Sequence, residues 1–223
     1  MNEISNLNSV GKSINHDSAL RQTTGEAKYI DDILTPKNTY HLALVLSPAP
    51  CGKIAKINKD KALSLKGVEE VLTYKDIPGE NKIGPIIHNE PALAENRVAY
   101  VGQPIAVVIA KTHDLAQQAS KLVNVEIVDD DEPIYDLRTS LKANSLVMPK
   151  MELVKGNSKE KIKNSECYLE GEINIGGQDH FYLEGQIALA IPDEEKQMTI
   201  WSSTQHPTEV QHCVSSILGI PQS

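Results

Sequence analysis

Short apolar runs separated by polar turns organise the first half of the chain. Runs of strand length predict β-strands over residues 40–46, 53–58, 68–74, 104–110 and 123–128. Between the last two strands, Thr112 can cap a helix whose apolar face carries Leu115, Ala116, Ala119, Leu122 and Val123. A shorter helix is predicted with Asp60 as its cap and Gly67 at its end. Strands mixed with short helices in this way predict an α+β fold.

The pattern near the end of the chain predicts three more strands and a longer helix. Residues 167–175 alternate between apolar and polar, which predicts a strand with one buried face. Residues 183–191 and 198–204 are predicted to form a hairpin. The helix is predicted from Pro207 to Leu218, because proline suits a first helical turn and Gly219 suits a helix end. Its apolar face carries Val210, Cys213, Val214, Ile217 and Leu218.

Gln205 lies in the predicted turn between the last strand and this helix. Backbone N–H groups and the positive end of the helix dipole collect at such a turn, which suits an anionic or oxo-type ligand. A neutral amide there can donate a hydrogen bond to an oxygen without adding a charge. The alternative is that Gln205 and His206 simply cap the helix.

A second group of candidate residues precedes the hairpin. Two adjacent glycines at 176–177 let the backbone turn sharply and approach another group closely. They are followed by Gln178, His180 and the only phenylalanine of the chain, Phe181. His180 is either a base or ligand, or a structural histidine bonded to the backbone.

Other patterns point away from common enzyme sites. The serines near the end of the chain are not framed by GxSxG, so a Ser-His-Asp hydrolase is not predicted. The loop 97–104 is either a ligand-binding turn or a plain strand connection. Cys51, Cys167 and Cys213 are far apart and odd in number, which predicts reduced, buried thiols and neither a disulfide framework nor a zinc site.

The net charge and the hydropathy limit the classes of partner that the chain is expected to bind. The 223 residues carry a formal net charge of -8, with no basic stripe, which argues against a nucleic-acid or membrane surface. No run of 18 apolar residues is present, and the first residues lack the apolar region of a signal peptide. We therefore expect a cytoplasmic protein.

The composition changes along the chain predict its domain organisation. Residues 1–19 are polar and aperiodic, which predicts an N-terminal arm, and residues 20–135 hold the first domain. Residues 136–165 are polar and lysine-rich, as expected of a linker. Residues 166–223 then open a second domain that looks incomplete.

Several long stretches of the chain are specific enough to identify a family. In the first half these are TGEAKYIDD, GVEEVLTYKDIPGEN, EPALA and VGQPIAVVIA, and in the second half they are GGQDHFYLEGQ and SSTQHPTEVQH. They resemble one enzyme family, the molybdenum hydroxylases that include xanthine dehydrogenase and aldehyde oxidase. The first group resembles the family's α/β hammerhead domain, and the second resembles the start of its molybdopterin-binding domain. Asp179 stands where many members carry glutamate.

The resemblance implies specific roles and cofactors. Gln205 would donate a hydrogen bond to the apical oxygen of the molybdenum centre without coordinating the metal itself, and Gln178, His180 and Phe181 would contact the molybdopterin cofactor. The complete enzyme would hydroxylate a purine or related N-heterocycle with oxygen from water. Electrons would pass to 2Fe-2S clusters, FAD and NAD on partner domains or subunits, in an enzyme expected to be oligomeric.

The same resemblance implies that no catalytic residue lies in this chain. The family's FGGKE segment, its substrate-orienting arginine and its base glutamate have no counterpart here. We therefore expect an N-terminal portion of the molybdenum-binding subunit that is inactive alone. The alternatives are a non-catalytic docking module of the same complex, or a hydroxylase of aldehydes or other heterocycles.

Overall fold

A computed structural model describes residues 9–84, 86–128 and 132–222. In chain order its strands are β1 (His41–Leu46), β2 (Gly52–Asn58), β3 (Val68–Thr73), β4 (Arg97–Val98), β5 (Pro104–Ala110), β6 (Asn124–Val128), β7 (Ala188–Pro192) and β8 (Met198–Ser202). The helices are α1 (Ala19–Thr24), α2 (Asp60–Leu63), α3 (His113–Ser120), α4 (Leu137–Lys142), α5 (Ser158–Lys163) and α6 (Pro207–Leu218). Helices and antiparallel sheets together confirm the α+β class.

Strand β5 is the centre of the first sheet. It pairs antiparallel with β1 on one side and with β3 on the other, in the order β1-β5-β3. Ala106 and Val108 are fully buried in the cluster that also contains Ala119 of α3, whereas Ile105 belongs to a separate buried cluster. The near-continuous apolar run of this strand therefore follows from its burial on both faces.

Helix α3 packs against this sheet through its small apolar residues. Ala116 and Ala119 are fully buried, and the Thr112 side chain accepts a hydrogen bond from the Leu115 N–H, which confirms the predicted cap. The predicted apolar face is wrong at its end. The helix stops at Ser120, and Leu122 lies beyond it, partly exposed.

Helix α2 also differs from its prediction. Asp60 is the first helical residue and not the cap, and the helix ends at Leu63, well before Gly67. The side chain of Asn58 takes the capping role, since its Oδ1 accepts a 3.0 Å hydrogen bond from the Asp60 N–H. Asn58 is the last residue of β2, so the end of the strand caps the start of the helix.

A second sheet, in the order β4-β2-β6, closes the first half of the molecule. Its core contains Ala94, Val98 and Ile105, with partly buried side chains of β2 and β6 packed around them. Ile105 comes from β5 of the first sheet, so this cluster joins the two sheets. The partly buried Ile57 and Val125 pack against both this cluster and the one that contains Val108.

The second half carries less regular structure. Strands β7 and β8 form the predicted antiparallel hairpin, although β7 begins at Ala188 and not at residue 183. The strand predicted over 167–175 is wrong, because this stretch has no strand and Leu169 is 99% exposed. Alternation marks a strand only where a neighbouring strand supplies hydrogen bonds, and none in the described part of the chain pairs with it.

The segments outside the sheets contain short helices. Helices α4 and α5 lie within residues 136–165, the predicted linker, and each is capped by a polar side chain, from Asp136 and Asn157. Of the predicted arm, residues 1–8 lie outside the described residues, and α1 begins at Ala19. No helix in the described ranges is long and apolar enough to cross a membrane.

The cysteines only partly match their prediction. Among the described residues no disulfide joins them, but Cys167 is exposed, whereas Cys51 and Cys213 are half-buried. Burial raises the pKa of the Cys213 thiol, and the neighbouring Glu209 carboxylate raises it further. This thiol is therefore a poor nucleophile.

Candidate functional site

The turn that leads into α6 is held by two side-chain caps. The hydroxyl of Thr204 accepts a 3.0 Å hydrogen bond from the His206 N–H. The Nδ1 atom of His206 accepts a 2.9 Å hydrogen bond from the Glu209 N–H, so His206 is the helix cap. Pro207 occupies the first helical turn and Gly219, at φ 65°, ends the helix, as predicted.

Gln205 stands between these caps but takes no part in them. Its side chain is exposed, and within the described residues it has no hydrogen-bond partner. The two interpretations of the turn are thereby separated, because His206 does the capping and the Gln205 amide is left to face solvent. The amide can donate to an acceptor that approaches the beginning of α6.

The other three predicted cofactor contacts lie in an irregular segment. Gln178, His180 and Phe181 are exposed there, with Phe181 at a positive φ of 50°. Two cavities described below, one beside His212 and one between β8 and α6, contain neither these residues nor Gln205. Among the described residues nothing lies within 4 Å of a Cβ position built on either glycine at 176–177, and neither glycine has a positive φ.

Glu184 follows this segment and connects it to the first half of the chain. Its Oε1 accepts a 2.9 Å hydrogen bond from the N–H of Ile30, 154 positions earlier. Ile30 begins a short 3-10 turn within the TGEAKYIDD stretch. Sequence reasoning did not single out Glu184, although it lies inside the GGQDHFYLE stretch.

Helix α6 is also bound at its far end by the first half of the chain. The N–H groups of Gly79 and Glu80 donate 2.8 Å hydrogen bonds to the carbonyl oxygens of Ile217 and Ser216, respectively. Beside this contact, the rings of His88 and His212 meet edge to face with their centroids 5.5 Å apart. They line a small cavity of about 140 Å³.

A larger groove of about 820 Å³ runs between β8 and α6. Its apolar lining includes Met198, Ile200, Val210 and Val214. The lining also reaches Pro207 and Thr208, directly after the turn that carries Gln205. The groove thus adjoins the candidate site without containing its key residue.

The stretch 97–104 runs from β4 to β5 and is held by hydrogen bonds of Gln103. Gln103 is buried, and its Oε1 accepts a 2.7 Å hydrogen bond from the Ala99 N–H across the turn. The Gln103 carbonyl oxygen accepts a further hydrogen bond from the Ser47 N–H. Among the residues that the structure describes, no group of three or more histidines, cysteines or carboxylates could hold a metal ion.

Comparisons with known families cover nearly the whole chain. A family model described as "Aldehyde oxidase and xanthine dehydrogenase, a/b hammerhead domain" matches residues 24–130. A second, described as "Molybdopterin cofactor-binding domain", matches residues 140–223. The candidate turn and the GGQDHFYLE stretch both fall in the second match.

Relatives and solved structures agree with these matches. Xanthine dehydrogenase of Oryza sativa subsp. japonica is 40% identical over 218 residues, which cover 96% of this chain and 16% of that protein. Aldehyde oxidase 2 of Macaca fascicularis is 39% identical over 213 residues, covering 95% of this chain and 16% of that protein. The chain therefore spans about one sixth of the length of these relatives.

The fold is shared with solved enzymes at lower sequence identity. Aldehyde oxidoreductase from Desulfovibrio gigas superposes with a TM-score of 0.76 at 24% identity, over 92% of this chain and 25% of that one. Quinoline 2-oxidoreductase from Pseudomonas putida 86 gives a TM-score of 0.77 at 24% identity, over 95% of this chain and 29% of that one. The chain belongs to the aldehyde oxidase and xanthine dehydrogenase family of molybdenum hydroxylases, of which it contains the hammerhead domain and the start of the molybdopterin-binding domain.

Proposed function

We propose that this chain is the N-terminal portion of a molybdenum-binding subunit and that Gln205 contacts an oxygen ligand of its molybdenum. The observation that carries the proposal is the exposed Gln205 amide in the SSTQHP turn, which His206 relieves of any capping role. A neutral donor at a helix start suits an oxygen that carries partial negative charge. The same turn would be unsuited to coordinate the metal directly, because an amide is a weak ligand beside thiolate or imidazole.

The other three predicted contact residues fit a large anionic cofactor only in part. Gln178 and His180 offer exposed donors, and Phe181 offers an exposed ring, so all three are accessible to a pterin. Their positions beside the cofactor remain part of the proposal. When bound, molybdopterin and its metal would supply two-electron oxidation chemistry with oxygen from water.

The chain itself contributes positioning. Gln205 would hold the oxygen in one orientation through the hydrogen bond from its amide. None of these residues would act as the general base, and the base glutamate would lie in another part of the enzyme. The chain alone would thus be inactive.

Substrate and partners follow from the kind of enzyme proposed. We propose a purine or related N-heterocycle as substrate, with electrons leaving through 2Fe-2S and FAD domains or subunits to NAD, in an oligomeric complex. An aldehyde is the second candidate, since one set of relatives is named aldehyde oxidase. A non-catalytic docking module has less support, because the relatives are named as enzymes.

Gln205→Ala in the holoenzyme tests the assignment. We expect turnover to fall by a factor of about 100 to 1,000 with little change in KM, because the donor acts on charge that develops in the transition state. Steady-state kinetics with xanthine, quinoline and benzaldehyde, each normalised to molybdenum content, measure this effect and identify the substrate class.

Gln118→Ala is the matched control, since Gln118 is an exposed glutamine on α3, in the first half of the chain. It should leave turnover unchanged. Normal turnover of Gln205→Ala at full molybdenum occupancy would contradict the proposed role of Gln205.

A further inference from the structure

The loop that follows β3 approaches the C-terminal end of α6 so closely that only glycine fits. A Cβ atom on Gly79 would collide with the carbonyl oxygen of Ser216 and would lie 2.6 Å from the Gly219 nitrogen. The φ of Gly79 is not positive, so the requirement comes from contact and not from backbone conformation. Any side chain here would push the loop and the helix apart.

The contact also supplies hydrogen-bond donors to two carbonyl groups in the last turn of the helix. The last turn of a helix leaves its carbonyl oxygens without intrahelical donors. In α6 the carbonyls of Ser216 and Ile217 accept from the N–H groups of Glu80 and Gly79, in addition to the cap made by Gly219. Two backbone hydrogen bonds therefore tie the hammerhead domain to this helix.

The loop is itself held firmly on the hammerhead side. Before it, the Asp76 carboxylate accepts 2.7 Å and 3.0 Å hydrogen bonds from the N–H and hydroxyl of Thr73. At its end, the Asn81 side chain donates a 2.7 Å hydrogen bond to the Leu93 carbonyl oxygen and accepts a 2.9 Å hydrogen bond from the Leu93 N–H. Leu93 is buried. The clamp formed by residues 77–81 thus has fixed anchors on both sides.

Helix α6 connects this clamp to the proposed cofactor contact. Its 12 residues make a rod of about 18 Å, with Gly79 against one end and Gln205 two residues before the other. A displacement of one end of a rigid helix moves the other end as well. A 1 Å misplacement of a catalytic group can cost about 100-fold in rate.

We propose that Gly79 is a positioning residue that sets the place of Gln205 through α6. This inference rests on the proposed function of Gln205. It gives the DIPGEN stretch of the hammerhead domain a role in the chemistry of the neighbouring domain. The clamp acts by fixing the helix and makes no contact with the cofactor.

The test is a double-mutant cycle in the holoenzyme with Gly79→Ala and Gln205→Ala. Gly79→Ala should lower kcat about 10- to 100-fold, with KM nearly unchanged. In the Gln205→Ala background it should add no further loss, because the residue through which it acts is already removed. Hydrogen exchange of peptide 203–210 should accelerate in Gly79→Ala, which provides a readout independent of activity.

Two controls separate positioning from general damage. Gly171→Ala replaces a glycine with open space around its Cβ position and should change neither readout. Val108→Ala weakens the buried hammerhead core and should lower stability without accelerating exchange in peptide 203–210. Glu80→Pro removes one clamping N–H without placing a Cβ at residue 79, and it should reproduce the kinetic pattern if Gly79→Ala does not assemble.

If the losses in kcat from Gly79→Ala and Gln205→Ala multiply in the double variant, the inference is overturned. Unchanged hydrogen exchange of peptide 203–210 in Gly79→Ala would overturn it as well. Failure of both clamp variants to assemble, with Val108→Ala assembling normally, would also overturn it and assign the loop to folding. If Gln205→Ala alone has normal turnover, the proposed function fails. The hydrogen exchange of peptide 203–210 in Gly79→Ala still shows whether the clamp holds the turn.

Discussion

At the scale of single residues, Glu184 shows how one side chain holds a segment without regular structure. The segment before it is irregular and exposed, so it has few contacts of its own. The hydrogen bond from the Ile30 N–H to the Glu184 carboxylate is charge-assisted and partly buried, and such bonds contribute about 1.5 to 3 kcal/mol. Glu184 therefore restricts the residues that are proposed to contact the cofactor.

Glu184→Ala should loosen the stretch 176–187. We expect the amide hydrogens of this stretch to exchange faster, because the acceptor for the Ile30 N–H is lost. Glu184→Gln keeps a neutral acceptor, so its exchange rates should lie between those of Glu184→Ala and those of the native protein. Hydrogen exchange measured by mass spectrometry on the holoenzyme checks this. Glu170→Ala, at an exposed glutamate, is the control. Native exchange rates in Glu184→Ala would show that the bond does not hold the segment.

At the scale of elements, the 3-10 turn Tyr74–Asp76 follows the end of β3 and holds one side of the clamp formed by residues 77–81. The hydrogen bond from the Thr73 N–H is the main reason why the pKa of Asp76 lies below its ordinary value, with the Thr73 hydroxyl and two lysines adding to it. A carboxyl with a lowered folded-state pKa stabilises the fold above its unfolded pKa. That contribution is lost as the pH falls through the lowered value.

Asp76→Ala should accordingly loosen residues 77–81 at neutral pH and have a diminishing effect in acid. The difference from the native protein should begin to shrink as the pH falls below the ordinary pKa of 3.8, and it should vanish once the pH lies below the lowered pKa of the native carboxyl. We expect less than about 1 kcal/mol, since Asp76 is exposed and solvent screens its charge. The ratio of variant to native exchange rates across this pH range measures it. A ratio that stays constant through acid would exclude the carboxylate as the source.

At the scale of the whole molecule, the two halves differ in how far they bury their apolar residues. The hammerhead half encloses its core between two sheets and α3. In the second half, no residue of β7, β8 or α6 is fully buried, among those whose burial the structure describes. Large apolar side chains are exposed across it, including Leu169, Ile173, Ile175, Phe181, Leu183 and Trp201. Neither of the two cavities described above contains Gln205.

The isolated chain should therefore retain no molybdenum cofactor. A single hydrogen bond from Gln205 contributes about 0.5 to 1.5 kcal/mol net, which cannot hold a large anionic pterin without a surrounding cage. Metal analysis of the purified 223-residue chain, compared with the holoenzyme, measures this. Stoichiometric molybdenum in the isolated chain would contradict it.

The local pattern of the sequence determined the elements whose signals lie within one stretch. The apolar run of β5, the Thr112 cap, and the Pro207 and Gly219 boundaries of α6 were all predictable, because burial and capping leave periodic or positional marks on neighbouring residues. The family was likewise predicted from long, specific stretches of the sequence. Gln205 could be located in its turn for the same reason.

Tertiary structure alone decided the contacts between distant residues. The Gly79 clamp, the bond from Ile30 to Glu184 and the missing strand over 167–175 each depend on what lies opposite in space. A glycine needed for close approach looks like any turn glycine, and an alternating stretch forms a strand only beside a partner. Local periodicity records which face of an element is apolar, whereas the pairing of faces and loops is set by packing across more than a hundred residues of chain.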